Sequence, residues 1–152
     1  MKVLAGLLLA VVVISSQIAR ASTDPSSSSS ETLYKQLGGY DALAAVTDDF
    51  IHRLATDPKL TKFFVGVSDA HKARIRQMFL DFMCEKTGGP CIYVGEDMKK
   101  VHTGLNITDA DWDAAVADLG QTFDKFHVSP ELRQKVGDLL GKVKPDVVIP
   151  GK

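Results

Sequence analysis

The chain is 152 residues long, with 18 Lys+Arg against 19 Asp+Glu, a formal net charge of −1 and 45% hydrophobic residues. That length suits one domain with a real core, and a charge near zero excludes the concentrated basic field of a nucleic-acid binder. Two cysteines without a C-x-x-C exclude a disulfide scaffold, and aromatics at 7% with charges at 24% exclude a disordered chain.

The first segment reads as an address. Lys2 precedes an apolar run from Val3 to Ile14, and Ala19-Arg20-Ala21 has the small-x-small form of a cleavage site. Twelve apolar residues fall short of the roughly 20 needed to span a bilayer, so no stable membrane anchor is expected. Residues 1–21 are read as a secretory signal peptide, placing the protein in the periplasm or outside the cell. Residues 22–31, with five consecutive serines after Asp24-Pro25, are read as a flexible linker. The domain then runs over 32–146, and 147–152 is a short tail.

Within the domain the periodicity is helical throughout. Leu33, Leu37, Leu43, Val46, Phe50 and Leu54 recur at helical spacing, broken by a bend at Gly38-Gly39 and stopped at Asp57-Pro58. Ser68 or Asp69 caps the next helix, which carries Ile75, Phe79, Phe82 and Met83 and ends at Thr87-Gly88-Gly89-Pro90. A loop from Cys91 to Gly95 leads to a short helix over about 96–103. Thr108 and Asp111 resemble a capping box, opening a helix with Trp112, Val116, Leu119 and Phe123 on its stripe. The last helix starts at Ser129-Pro130-Glu131, bears Leu132, Val136, Leu139, Leu140 and Val143, and is closed by Pro145. No stretch sustains strand alternation, so the fold class is all-α.

Phosphate-loop, H-E-x-x-H and G-x-S-x-G signatures are absent. Of the four histidines, His52, His71 and His127 fall at positions expected to face water. His102 sits on the short helix between Met98 and Leu105, on an apolar face. It is either a hydrogen-bonded core residue or an axial ligand to haem iron. Phe63-Phe64 fits plain core packing or contact with a flat macrocycle. Lys72, Arg74, Arg76, Lys99 and Lys100 are solvent-facing, or some of them neutralise carboxylates on a ligand. Cys84 and Cys91, seven apart, suit a local disulfide clamping the corner at Gly88-Gly89-Pro90, or two buried thiols; c-type attachment needs the missing C-x-x-C-H.

These residues together resemble one family. Leu33-Tyr34 through Gly38-Gly39-Tyr40 looks like the opening of a group 1 truncated haemoglobin, and Asp49-Phe50, Arg53 and Phe63-Phe64 continue it. The most specific stretch is Gly88-Gly89-Pro90-Cys91, then Tyr93, Gly95, Met98-Lys99, His102, Gly104-Leu105 and Ile107. The resemblance runs from about Leu33 to Pro145.

It implies a two-over-two helical sandwich around one non-covalent haem b, with His102 as the proximal iron ligand. Phe63 and Phe64 would wedge against the haem, Met98 would cover its proximal side, and Lys99 would face its propionates. Tyr93, Phe79, Ile107, Phe50 and Ile51 complete the implied pocket. Many group 1 members carry a tyrosine where this chain has Ile51. A polar distal partner would then come from Gln77 or Arg76, with Lys72 behind, or be absent.

The implied function is reversible binding of oxygen or another diatomic gas such as NO or CO, by a monomer or weak dimer, with an external reductase where electrons are needed. Two rivals stand beside it. One is a haem enzyme, an NO dioxygenase or peroxidase-like catalyst; the other is a non-haem helical sensing or binding domain with His102 in its core.

Overall fold

The computed structural model describes residues 31–149; the signal-peptide reading and nearly all of the linker lie outside these residues. Among the described residues the chain forms seven α-helices and one 3-10 turn. They are α1 (Leu33–Gln36), α2 (Gly39–Thr56), the turn Thr61–Phe63, α3 (Asp69–Lys86), α4 (Met98–His102), α5 (Asp109–Lys125), α6 (Pro130–Gly141) and α7 (Lys144–Val147).

The boundaries follow local chemistry. Gly38 and Gly39 both take left-handed φ, +95° and +78°, which lets α1 and α2 meet at a sharp corner that a side chain would strain. The Ser68, Thr108 and Ser129 hydroxyls each accept a backbone N–H from the first turn of α3, α5 and α6. At α5 the capping box is complete, because the Asp111 carboxylate accepts the Thr108 N–H in return.

Helices α2 and α3 pack against each other, and α2 also packs on α5. Phe50 of α2, Phe82 and Met83 of α3, Leu119 and Phe123 of α5 and Val136 of α6 form the central buried cluster. Each such side chain stabilises by about 1.5–3 kcal/mol through water exclusion. This is the two-over-two arrangement, one helix pair laid over the other. A smaller cluster of Leu43, Leu80 and Cys84, flanked by Tyr34, Leu37 and Cys91, fills the corner under α1.

A polar tie crosses the core. The Asp49 carboxylate, 10% exposed, accepts from Arg53 at 2.7 Å, Thr122 at 2.9 Å and Lys125 at 2.5 Å. Burial opposes its charge, yet the bonds from Lys125, Arg53 and Thr122 outweigh that and hold the carboxyl well below the usual range.

The structure corrects four readings. Pro145 does not close the last helix: it sits in the first turn of α7, where its missing N–H costs nothing. The packed chain continues to Val148, which is buried, and the Ile149 N–H donates to the Ile107 carbonyl at 3.0 Å. Val116 is 51% exposed; besides Leu119 and Phe123, the buried positions of α5 are Asp111, Ala114, Asp118 and Thr122, a row on another face of the helix. The short helix starts at Met98, because Asp97 serves as its N-cap. No helix among the described residues is long and apolar enough to cross a membrane.

Candidate functional site

His102 is the last residue of α4 and is half-buried. Its Nδ1 lies 2.7 Å from the Met98 carbonyl oxygen, one turn earlier. A carbonyl can only accept, so Nδ1 carries the proton and the free lone pair of the neutral ring sits on Nε2. That is the arrangement a metal-ligating imidazole needs: one nitrogen fixed by a hydrogen bond, the other open. His52, His71 and His127 are all exposed.

Phe63 and Phe64 end the 3-10 turn, half-buried. Their corner is fastened to α5 through Lys62, whose ammonium donates to the Asp111 carboxylate at 2.7 Å and lies 4.9 Å from the centre of the Phe63 ring. The Lys62 hydrogen bond, followed by that of the Thr108 N–H, brings the Asp111 pKa down to about 2. Met98 and Tyr93 pack against the central cluster, and Ile107 is half-buried. Tyr93 stands edge-on to Phe82 at 5.5 Å and donates its hydroxyl to the Glu96 carbonyl; burial, with Asp97 and Glu96 nearby, pushes its phenol up. Lys99 is exposed.

Phe50 and Phe79 meet at 5.5 Å and line an apolar cavity of about 40 Å³ between α2, α3, α5 and α6. Neither His102 nor Phe63-Phe64 borders it. Exposed apolar side chains stand instead beside His102 and at the aromatic corner. There, Val101 and Leu105 beside His102 are each 43% exposed, and Val65 beside Phe64 is 81% exposed. A flat apolar group would cover surface that a soluble domain otherwise leaves wet. The imidazole, the aromatic pair and this uncovered apolar rim fit haem.

The polar residues of α3 are engaged with neighbours. Arg76 makes a forked pair with Asp48 of α2, at 2.6 and 2.9 Å, which lowers the Asp48 pKa through that hydrogen bond and raises that of Arg76. The Gln77 amide donates to the Tyr40 hydroxyl at 3.2 Å and to Asp81 at 2.9 Å. Lys72 pairs loosely with Asp69 at 3.3 Å. Ile51 is half-buried and offers no donor. Cys84 and Cys91 form a disulfide, with Cα atoms 5.7 Å apart.

Sequence reasoning missed the Met98 carbonyl, which no residue type encodes, and the Lys62–Asp111 and Arg76–Asp48 ties. A lysine directly before the aromatic pair and an acid inside a capping box were the available hints for Lys62–Asp111.

Residues 32–148 match a family model described as bacterial-like globin. A group 1 truncated hemoglobin of Nostoc commune is 32% identical over 113 residues, covering 74% of this chain and 93% of its own. That of Tetrahymena thermophila is 25% identical over 115 residues, covering 76% and 93%. The crystal structure of truncated hemoglobin from Tetrahymena pyriformis in its Fe(III) form superposes with a TM-score of 0.72 at 24% identity, over 78% of this chain and 98% of that one. A 2/2 hemoglobin from a Synechococcus species, solved with covalently attached heme, gives 0.70 at 27% identity, over 78% and 98%.

Proposed function

Because the chain belongs to the bacterial-like globin family, we propose that it holds one non-covalent haem b through His102 and reversibly binds a diatomic gas, chiefly oxygen. The observation that carries this reading is the 2.7 Å bond from His102 Nδ1–H to the Met98 carbonyl, which leaves Nε2 bare and fixes the plane of the ring. When bound, haem supplies an iron with one open position for a small gas.

The chain's own residues then divide the work. His102 Nε2 would hold the iron. Phe63, Phe64 and Met98 wall the flat group and exclude water. Lys99, exposed at the start of α4, reaches toward carboxylates at its rim. Ile51 gives the gas side an apolar wall, and Arg76 and Gln77 spend their donors on Asp48, Tyr40 and Asp81. Both cysteines are consumed in their own disulfide, so neither is free for a thioether link, which supports non-covalent attachment.

The absorption spectrum of the purified chain, reduced and exposed to carbon monoxide, tests the reading. Wild type gives a Soret band that shifts with the gas; His102→Gly loses it and regains it with added imidazole. A His102→Gly protein that keeps the wild-type spectrum and hemin affinity would refute the assignment. Export belongs to the same proposal: N-terminal sequencing of protein recovered outside the cytoplasm is expected to start at Ser22, and an intact Met1 would overturn it.

A further inference from the structure

Residues 90–97, which lead from α3 to the helix carrying His102, make no backbone–backbone hydrogen bond among themselves or to another element until Asp97 accepts from Val101. The segment is tied to α3 by side chains. The disulfide joins Cys91 to Cys84, which is fully buried in the last turns of α3. The neighbouring Glu85 carboxylate accepts the Tyr93 backbone N–H at 2.8 Å, and that bond is the main cause holding its carboxyl below the usual range. Tyr93 lays its ring against Phe82, also on α3.

Helix α4 cannot hold itself in place. Five residues make little more than one turn, far below the length at which an isolated helix is stable. Beyond the packing of Met98 on the central cluster and of α4 on α7, its direction is inherited from the ends of the segment that carries it, and the N-terminal end is fixed by the bonds just described. Buried Cys84 also shields the bridge. A thiolate attacking at half-buried Cys91 would have to expel a Cys84 thiolate into an apolar cluster, so the bond is built to persist.

We propose that the Cys84–Cys91 disulfide and the Glu85 carboxylate form a proximal clamp, a pair of positioning groups that fix the approach of His102 and set how long haem stays bound. The inference rests on the haem-binding reading given above. The two tethers act on the same short segment, so their effects are coupled rather than additive.

The test is hemin transfer to excess apomyoglobin from the wild-type chain, Cys84→Ala/Cys91→Ala, Glu85→Ala and the combined variant. Val136→Ala, a core change on α6, serves as a control for lowered global stability. Hemin loss is expected to be about tenfold faster without the disulfide, the lower end of what removing support from a metal-bound histidine costs. It should be several-fold faster in Glu85→Ala, which leaves the Tyr93 N–H without its acceptor, while Val136→Ala stays within about twofold of wild type. The iron–histidine stretching band of the ferrous protein should shift or broaden only in the clamp variants.

Loss at the wild-type rate, or acceleration that tracks global stability as in Val136→Ala, overturns the proposal. Should the double cysteine variant not fold, Glu85→Ala carries the same test with the disulfide intact. Amide hydrogen exchange of the haem-free chains separates this inference from the one beneath it. Faster exchange confined to residues 92–103 in the clamp variants supports the clamp even if wild type takes up no hemin; unchanged exchange there refutes it.

Discussion

Replacing Asp111 by asparagine should destabilise the fold at neutral pH and leave it nearly unaltered in strong acid. The carboxylate is 7% exposed, completes the cap of α5 and accepts from Lys62 at 2.7 Å. The Lys62 bond and the Thr108 bonds lower its pKa from 3.8 to about 2, equivalent by linkage to about 2 kcal/mol of folded-state preference for the charged form. Lys62 is 57% exposed, so solvent screens its share and about 1–2 kcal/mol is the better expectation. The sign follows from the depressed pKa: this stability is present in full above the unfolded value near 4 and is lost as the pH falls toward 2. Asparagine keeps an oxygen for the Thr108 N–H but turns an amide NH2 toward the Lys62 ammonium, so the charge and the Lys62 bond are lost together. Urea denaturation of both proteins from pH 7 down to pH 2 should show the gap closing over that window. A gap that stays constant with pH would show that shape, not charge, is what Asp111 contributes.

Asp118 should behave in the opposite sense. Its Oδ2 is buried with no hydrogen-bond partner, and burial, aided by the nearby Asp57 charge, raises its pKa. Asp118→Asn is therefore expected to stabilise by about 1 kcal/mol at pH 7, with the gain shrinking as the pH drops and the wild-type acid takes up its proton; thermal unfolding at two pH values checks this. Gly89→Ala should cost about 1–3 kcal/mol in chemical denaturation, because a Cβ there would lie 2.6 Å from Tyr34 Cδ2, 2.7 Å from Cys84 Sγ and 2.8 Å from the Cys84 carbonyl oxygen. Ending the chain at Asp146 should cost about 2–3 kcal/mol, from buried Val148 and the Ile149–Ile107 bond, and should speed amide exchange over residues 98–107.

The helices were legible because each announces itself twice, in an apolar period and in a cap. Ser68, Thr108 and Ser129 stand where their hydroxyls are needed, and Gly38-Gly39 stands where φ must be positive. Pro145 was misread because proline ends a helix from within but opens one from its first turn, and only the course of the chain beyond it decides which. Val116 was misread for a related reason. Buried Asp111, Asp118 and Thr122 give α5 a partly polar inner face, and an apolar stripe does not reveal it. At the candidate site the side chains could be named from their order along the chain. The acceptor for His102 could not, because it is a backbone oxygen whose position follows from helix geometry alone.

The structure separates a platform from an arm. Helices α2, α3, α5 and α6 share one buried cluster, and the Asp49 tie joins α2 to α5, so each is stabilised by several others. Residues 90–108 have less such support: α4 is five residues long, packs on α7, itself only four, and meets the central cluster through Met98, as the loop before it does through Tyr93. The two ends of the arm are held as well, one joined to α3 through Cys84 and Glu85, the other where Ile107 accepts from Ile149 and Thr108 caps α5. His102 thus sits on a helix of little more than one turn, fastened from outside at both sides. A residue on such an arm has its position set by tethers as well as by core packing. Substitutions at those tethers should therefore change its geometry while the platform stays folded.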